Sequence, residues 1–217
     1  MIEAAFSVSE LFSRTFALMR AQPAKVIFAA GLTSALAIVL DQQPNADLLF
    51  LLPFLVSIYF QYDLTSGALQ NLGLLPGGYR TRRLGALLGL ILLTQFAITL
   101  GFLLLVVPGL ILLVRWFLCV PVLVTEEAGV IESLQISWEE SSGRFWPLFA
   151  VVAAIYGPVF LASFALGFIG MATDNVTVAT AVANIITYAA LVVGWHAAVA
   201  AYSFRRGGTE GLSEVFA

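Results

Sequence analysis

The sequence predicts an all-α polytopic membrane protein, with six transmembrane helices and two amphipathic cytoplasmic surface helices in a single integral membrane domain covering residues 1–217. Three observations predict it. The chain of 217 residues is 60% hydrophobic and 11% charged, with a mean hydropathy of +0.97, far more apolar than a soluble domain. Its positive charge is segregated. Of ten Lys and Arg residues, all but Arg115 fall in segments that alternate with uncharged runs. Arg14, Arg20 and Lys25 precede the first run, Arg80, Arg82 and Arg83 follow the second, Arg144 precedes the fifth, and Arg205 and Arg206 follow the sixth. Basic segments stay in the cytoplasm, so both termini are expected there. Finally, residues 84–124 carry one charge and, at about 1.5 Å per residue, would reach roughly twice the thickness of a hydrocarbon core. That stretch must turn back on itself.

Net charge adds little. The value of −3 and the pI near 5.1 reflect thirteen acidic residues, five of them clustered between Thr125 and Arg144, which weigh weakly on orientation; no nucleic-acid partner is expected. The start, Met1-Ile2-Glu3, lacks a basic n-region and a small-residue cleavage pattern, so no cleaved signal peptide is expected. Cys119 is the one cysteine, which leaves neither an internal disulfide nor a thiolate metal cluster.

The elements follow in order. Residues 6–22 place Phe6, Val8, Leu11, Phe12, Phe16 and Met19 on one stripe opposite Ser9, Glu10, Ser13, Arg14 and Arg20, an amphipathic surface helix. Ser7 and Glu10 have the spacing of a capping box, and Pro23 ends the helix. Transmembrane helices are expected at 24–40, 48–71, 84–107, 110–125, 145–172 and 177–204. Gln42, Gln43, Pro44 and Asn45 mark the first outer turn, and Gly73, Pro76, Gly77 and Gly78 the loop after the second crossing. Pro108-Gly109 is the natural turn of the long apolar run, and Pro121 should kink its second arm. A second surface helix is expected over 128–142, with Val130, Ile131, Leu134 and Trp138 on one face and Gly143 as a helix stop. The tail after Arg206 is expected to be loose. A weak internal repeat is also visible: aligning Thr15 with Ser137 places Phe12 and Phe16 on Leu134 and Trp138.

Polar groups in lipid are costly and point into the bundle. Counted from the cytoplasmic end of each helix at about 1.5 Å per residue, Asp63, Gln95, Arg115, Tyr156 and His196, with Ser34, all come out at a depth of roughly 12–16 Å. They form a candidate midplane polar layer. Within it Arg115 either pairs with Asp63, serves as ligand to an anionic head group, or snorkels outward. His196 is the only histidine, so a histidine metal site is not available within one chain; it reads as a helix-packing hydrogen bonder. Adjacent Glu126-Glu127 and Glu139-Glu140 are solvated loop pairs rather than opposed carboxylates, and Gly73 to Gly78 lacks the spacing and lysine of a phosphate loop. Catalytic, metal-ligating and cofactor-binding residues are therefore not assigned, and no cofactor is expected. Gly85 with Gly89, Gly31 with Ala35, and Ala190, Gly194 and Ala198 are small residues four apart that suit close helix packing, within the chain or in a homo-oligomer. Trp138 and Trp146 suit the interfacial belt.

Residues 107–149 also carry a recognisable pattern: Pro108-Gly109, the run Leu110 to Arg115, Pro121, Glu126-Glu127, Gly129, Glu132-Ser133-Leu134, Ser137-Trp138 and Gly143-Arg144-Phe145-Trp146. It resembles the glycerophosphoryl diester phosphodiesterase membrane-domain family and related six-helix bacterial inner-membrane proteins. The resemblance implies a bacterial cytoplasmic-membrane protein in which Pro108 and Arg115 occupy positions the family pattern uses, and it implies no catalytic residue, because in that family the phosphodiesterase chemistry belongs to a separate soluble domain. The expected role is a non-enzymatic lipid-interacting or scaffold module in membrane homeostasis, with membrane lipids as partners. The alternative is a small transporter or pore with a midplane polar site, which a water-accessible Asp63 would favour. An intramembrane enzyme would have to depend on His196.

Overall fold

The computed structural model describes residues 7–43, 47–75 and 83–213, and the side chains of residues 47, 50 and 205–213 are outside that description. Phe6, Pro44, Asn45, Pro76, Gly77, Gly78, Arg80, Arg82 and the side chains of Arg205 and Arg206 therefore lie outside the described residues. Among the described residues every regular element is helical: α1 (Val8–Ala21), α2 (Pro23–Asp41), a 3-10 turn (Asp47–Leu51), α3 (Leu52–Asn71), α4 (Leu84–Leu104), α5 (Val106–Arg115), α6 (Cys119–Thr125), α7 (Val130–Glu140), α8 (Phe145–Ala172) and α9 (Val176–Ser213). Five stretches are long and apolar enough to cross a membrane: α2, α4, the α5–α6 pair, α8 and α9 as far as Phe204. The expected crossing at 48–71 is α3 with its preceding 3-10 turn. At 20 residues α3 has the length, but Ser57, Gln61, Asp63, Thr65 and Gln70 make it less apolar than the other five.

Helix α9 organises the bundle, packing against α1, α2, α3, α6 and α8. The core around it is built from fully buried Leu11, Leu69, Leu87, Leu90, Leu123, Leu148, Val151 and Tyr202, drawn from α1, α3, α4, α6, α8 and α9. At one end of the bundle the guanidinium of Arg14 lies 3.8 Å over the Phe204 ring. Nearby in sequence, the Tyr202 hydroxyl donates to Glu126 (3.0 Å) and Arg83 donates to the Ala128 carbonyl (2.8 Å). Basic residues from α1 and the start of α4 thus meet the end of α9 and the loop that leads to α7. At the other end of α9, Asn184 donates to Asp41 at 2.7 Å, and Gly170 lies close against Val176 and Ala179 in the turn from α8.

Several local expectations are corrected. Ser7 is the N-cap residue of α1 but makes no side-chain cap; it bonds Ser9, while Glu10 pairs with Arg14 at 2.8 Å. The ion pair one turn on outcompetes the capping box. The turn of the long apolar run is at Leu105, in extended conformation, and not at Pro108-Gly109. Those two residues instead fall in the first turn of α5, where proline's missing N–H has no partner to lose. Gly109 is still essential to the turn: a Cβ on Gly101 would stand 2.9 Å from the Gly109 backbone, and one on Gly109 would meet the Phe102 ring at 2.5 Å. The expected kink at Pro121 is a full break, with residues 116–118 outside any helix, since Pro121 cannot donate to the Phe117 carbonyl one turn back. The chain stays helical past Arg206, with α9 continuing to Ser213; the rest of the tail lies outside the described residues.

The faces of the two short helices are turned relative to expectation. In α7 the buried positions are Ser133, Leu134, Ser137 and Glu140, whereas Ile131 is 58% and Trp138 40% exposed. In α1 they are Leu11, Thr15 and Leu18, with Phe16 exposed. The inward faces thus mix leucines with small polar residues, Leu11 and Leu18 with Thr15 and Leu134 with Ser133 and Ser137, while Phe16, Ile131 and Trp138 face outward. The repeat offset survives in the structure. It aligns the first residues of α1 and α7, Val8 and Val130, and of α2 and α8, Pro23 and Phe145. Thr15 and Ser137, aligned by the same offset, are both completely buried.

Candidate functional site

The structure splits the expected polar layer into five separate environments. Asp63 accepts an ion pair from Lys25 Nζ at 2.9 Å. Lys25 sits in the first turn of α2, and its flexible stem lets the ammonium reach Asp63 on the neighbouring helix. Asp63 is therefore not the partner of Arg115. Both partners are partly exposed, so Asp63→Leu is expected to cost about 0.5–1 kcal/mol. Thermal unfolding in detergent should show most of that loss recovered in the Lys25→Leu/Asp63→Leu double variant.

His196 is buried and holds two bonds, from Nδ1 to the Val192 carbonyl (2.8 Å) and between Nε2 and the Gln22 carboxamide (3.0 Å). Gln22 was not singled out by the sequence. It lies between α1 and α2, and its Nε2 also donates to the Leu64 carbonyl at 3.1 Å. The side chain fills the space beside Gly67, where a Cβ would come within 2.6 Å of Oε1. If Nδ1 is the protonated nitrogen, both amide protons of Gln22 and both ring nitrogens of His196 are used. This is a packing network that joins α3 and α9 to the α1–α2 junction. Ser34 likewise turns back to its own helix, donating to the Ala30 carbonyl at 2.6 Å.

Arg115 is bound to α7. Its Nη1 donates to the Ser142 hydroxyl (2.9 Å) and the Trp138 carbonyl (3.4 Å), and its guanidinium stands 5.1 Å from the Trp138 ring and 5.7 Å from the Phe145 ring. In return the Arg115 carbonyl, at the end of α5, accepts from Ser137 at 2.8 Å and Ser141 at 3.4 Å. Each helix caps the other's carboxyl terminus, where cations and donors are favoured by the orphan carbonyls and the helix dipole. Depth counting placed Arg115 at midplane because it assumed one unbroken helix from Thr125. The break at 116–118 invalidates that count, and Arg115 ends beside Phe145, the first residue of α8.

The remaining two layer residues, Gln95 and Tyr156, share a half-open cavity of about 220 Å³ between α3, α4, the α5–α6 break, α8 and α9. Its polar lining is Ser57, Gln61, Thr65, Thr94, Gln95 and Tyr156. Ser57, Gln61 and Thr65 are four apart on α3 and form a polar stripe on one face of the helix; that spacing was the available signal for the site. Gly194 admits Tyr156, since any Cβ there would overlap the tyrosine hydroxyl. The Ser57 and Thr94 hydroxyls bond back to carbonyls of their own helices at 2.7 Å and 2.9 Å. Among the described residues, by contrast, none is hydrogen-bonded to the Gln61 carboxamide, the Gln95 carboxamide or the Tyr156 phenol. Gln95 is exposed and Gln61 half-buried, so the cavity opens to the outside of the bundle along α3 and α4. Trp116 and Phe117 of the α5–α6 break also line the cavity.

Five helical stretches long and apolar enough to cross a membrane define the class: a multi-pass integral membrane protein. No family model, curated protein or solved structure matches the chain.

Proposed function

We propose that the chain is a non-enzymatic lipid-binding module of a bacterial cytoplasmic membrane, with α3 as its sixth crossing, both termini cytoplasmic and α1 and α7 at the cytoplasmic surface. On this reading the resemblance to the glycerophosphoryl diester phosphodiesterase membrane-domain family reflects shared membrane architecture and no hydrolytic role. One observation supports the lipid reading: Gln61, Gln95 and Tyr156, with no hydrogen-bond partner among the described residues, line a half-open cavity, whose mouth on this reading faces lipid. Unsatisfied donors and acceptors are expensive there, and a lipid entering through the opening relieves that cost. Protein isolated in native-lipid discs and then stripped with detergent should retain one lipid species, detected by mass spectrometry, and Ser57→Phe, which fills the cavity, should lose it. Retained lipid of bulk composition, unchanged by Ser57→Phe, would contradict the reading. A reporter fused after Thr173 should report outside and one after Arg83 inside.

The broken α5–α6 helix beside the cavity favours a second reading, a small transporter, because discontinuous helices build substrate sites in that class. Cysteine at position 95 reacting with impermeant maleimide from both faces of the membrane would select transport over lipid binding. No homo-oligomer is needed for either; exposed Gly31 and Ala35 on α2 are where one would pack.

A further inference from the structure

Resting on the lipid-binding reading, we infer that the cavity selects an uncharged lipid head bearing carbonyl or hydroxyl oxygens, and rejects anionic phospholipid. The first reason is charge. Among the described residues no Lys, Arg, Asp, Glu or His lines the cavity, and the charged groups nearest in the expected layer are committed elsewhere: Asp63 to Lys25 and Arg115 to α7. A phosphate taken into this space would have no counter-charge, and burying it unpaired is prohibitive.

The second reason is hydrogen-bonding capacity. Two carboxamides and a phenol offer donors and acceptors together, which match neutral oxygens. The third is size and wall chemistry. A volume of about 220 Å³ is below the range of roughly 300–1,000 Å³ that holds a whole drug-sized ligand. It accommodates a head alone, with the hydrocarbon chain left in the bilayer through the opening beside Gln95. The walls add Phe54, Trp116, Phe117 and Trp195, apolar surfaces against which a planar ring or an ester-bearing head can pack. Two lipid sources share this chemistry, a quinone with a prenyl tail and a diacylglycerol, and the test separates them.

Full-length protein in phosphatidylcholine discs is titrated with a prenyl quinone, with dioleoylglycerol and with phosphatidylglycerol, following tryptophan fluorescence. One of the two neutral lipids should bind saturably and phosphatidylglycerol should not compete. Gln61→Leu and Gln95→Leu should each weaken binding about fivefold, and Tyr156→Phe by a few-fold, the size of one lost neutral hydrogen bond. Should a leucine variant fail to fold, the isosteric Tyr156→Phe carries the test. Saturable phosphatidylglycerol binding that Ser57→Phe abolishes would overturn the neutral-head inference while leaving the lipid reading standing. Neutral-lipid binding indifferent to all three substitutions would overturn the inference as well. Absence of any bound lipid, added or native, would overturn both.

Discussion

Replacing Arg115 by leucine is expected to lower stability by about 2–3 kcal/mol and to release α7 from the bundle. The loss comes from charge-assisted hydrogen bonds, worth about 1.5–3 kcal/mol, and from removing a cation at the carboxyl end of α7, worth about 0.3–1 kcal/mol. It is partly offset because the buried Nε, which has no acceptor among the described residues, goes with the side chain. Hydrogen–deuterium exchange should rise across residues 130–142 and change little in α8. Arg115→Lys should recover only part of the loss, since an ammonium lacks the planar guanidinium face that stands over the Trp138 and Phe145 rings. The Asp63→Leu effect should be additive with Arg115→Leu, as the two sites share no partner. Strong coupling between them would instead revive the ion pair that charge counting suggested.

The second large effect is expected at the α4–α5 turn. Gly101→Ala places its methyl 2.9 Å from the backbone of Gly109, and backbone cannot rotate aside as a side chain can. Overpacking of this kind costs about 1–3 kcal/mol or more, and no side-chain truncation on α5 should rescue it. Gly85→Ala is the matched control. It stands on the same helix with nothing within 4 Å of the new methyl, so the alanine should be neutral or stabilising by up to about 1 kcal/mol through helix propensity. Thermal unfolding of both in one detergent makes the comparison. Equal effects would show that α4 and α5 do not meet as closely as described.

What could be read from the residues follows a physical division. Helix α8 coincides with its expected span because nothing interrupts the apolar run between Arg144 and Thr173, and a bilayer crossing needs only length and apolarity. Pro23 marks the α1–α2 boundary because its conformational restriction acts locally. Long-range partners leave weaker traces. Arg115 has no sequence neighbour that advertises α7 as its acceptor, and its depth depended on a helix that breaks at Trp116. The apolar stripe of α7 correctly signalled a helix, but only Leu134 of it is buried; Ser133, Ser137 and Glu140 complete the inward face, and Ile131 and Trp138 point outward. Within the candidate site, Gln95 and Tyr156 were found by depth alone. Gln61 was missed because Asp63, two residues on, is the more conspicuous group, although Ser57, Gln61 and Thr65 repeat at helical spacing. Gln22 offered no signal, since its role depends on where Leu64 and His196 come to lie.

The central claim is that Gln61, Gln95 and Tyr156 face a cavity occupied from the bilayer side by a lipid head. Photo-crosslinking from position 95 tests it most directly. Benzoylphenylalanine is placed at Gln95 and, as a control, at Phe164 on the outer face of α8, which is 73% exposed. After irradiation in native membranes, position 95 should yield a protein adduct enriched in one lipid class, whereas position 164 should yield adducts that follow bulk lipid composition. The same bulk-composition profile from both positions would contradict the account.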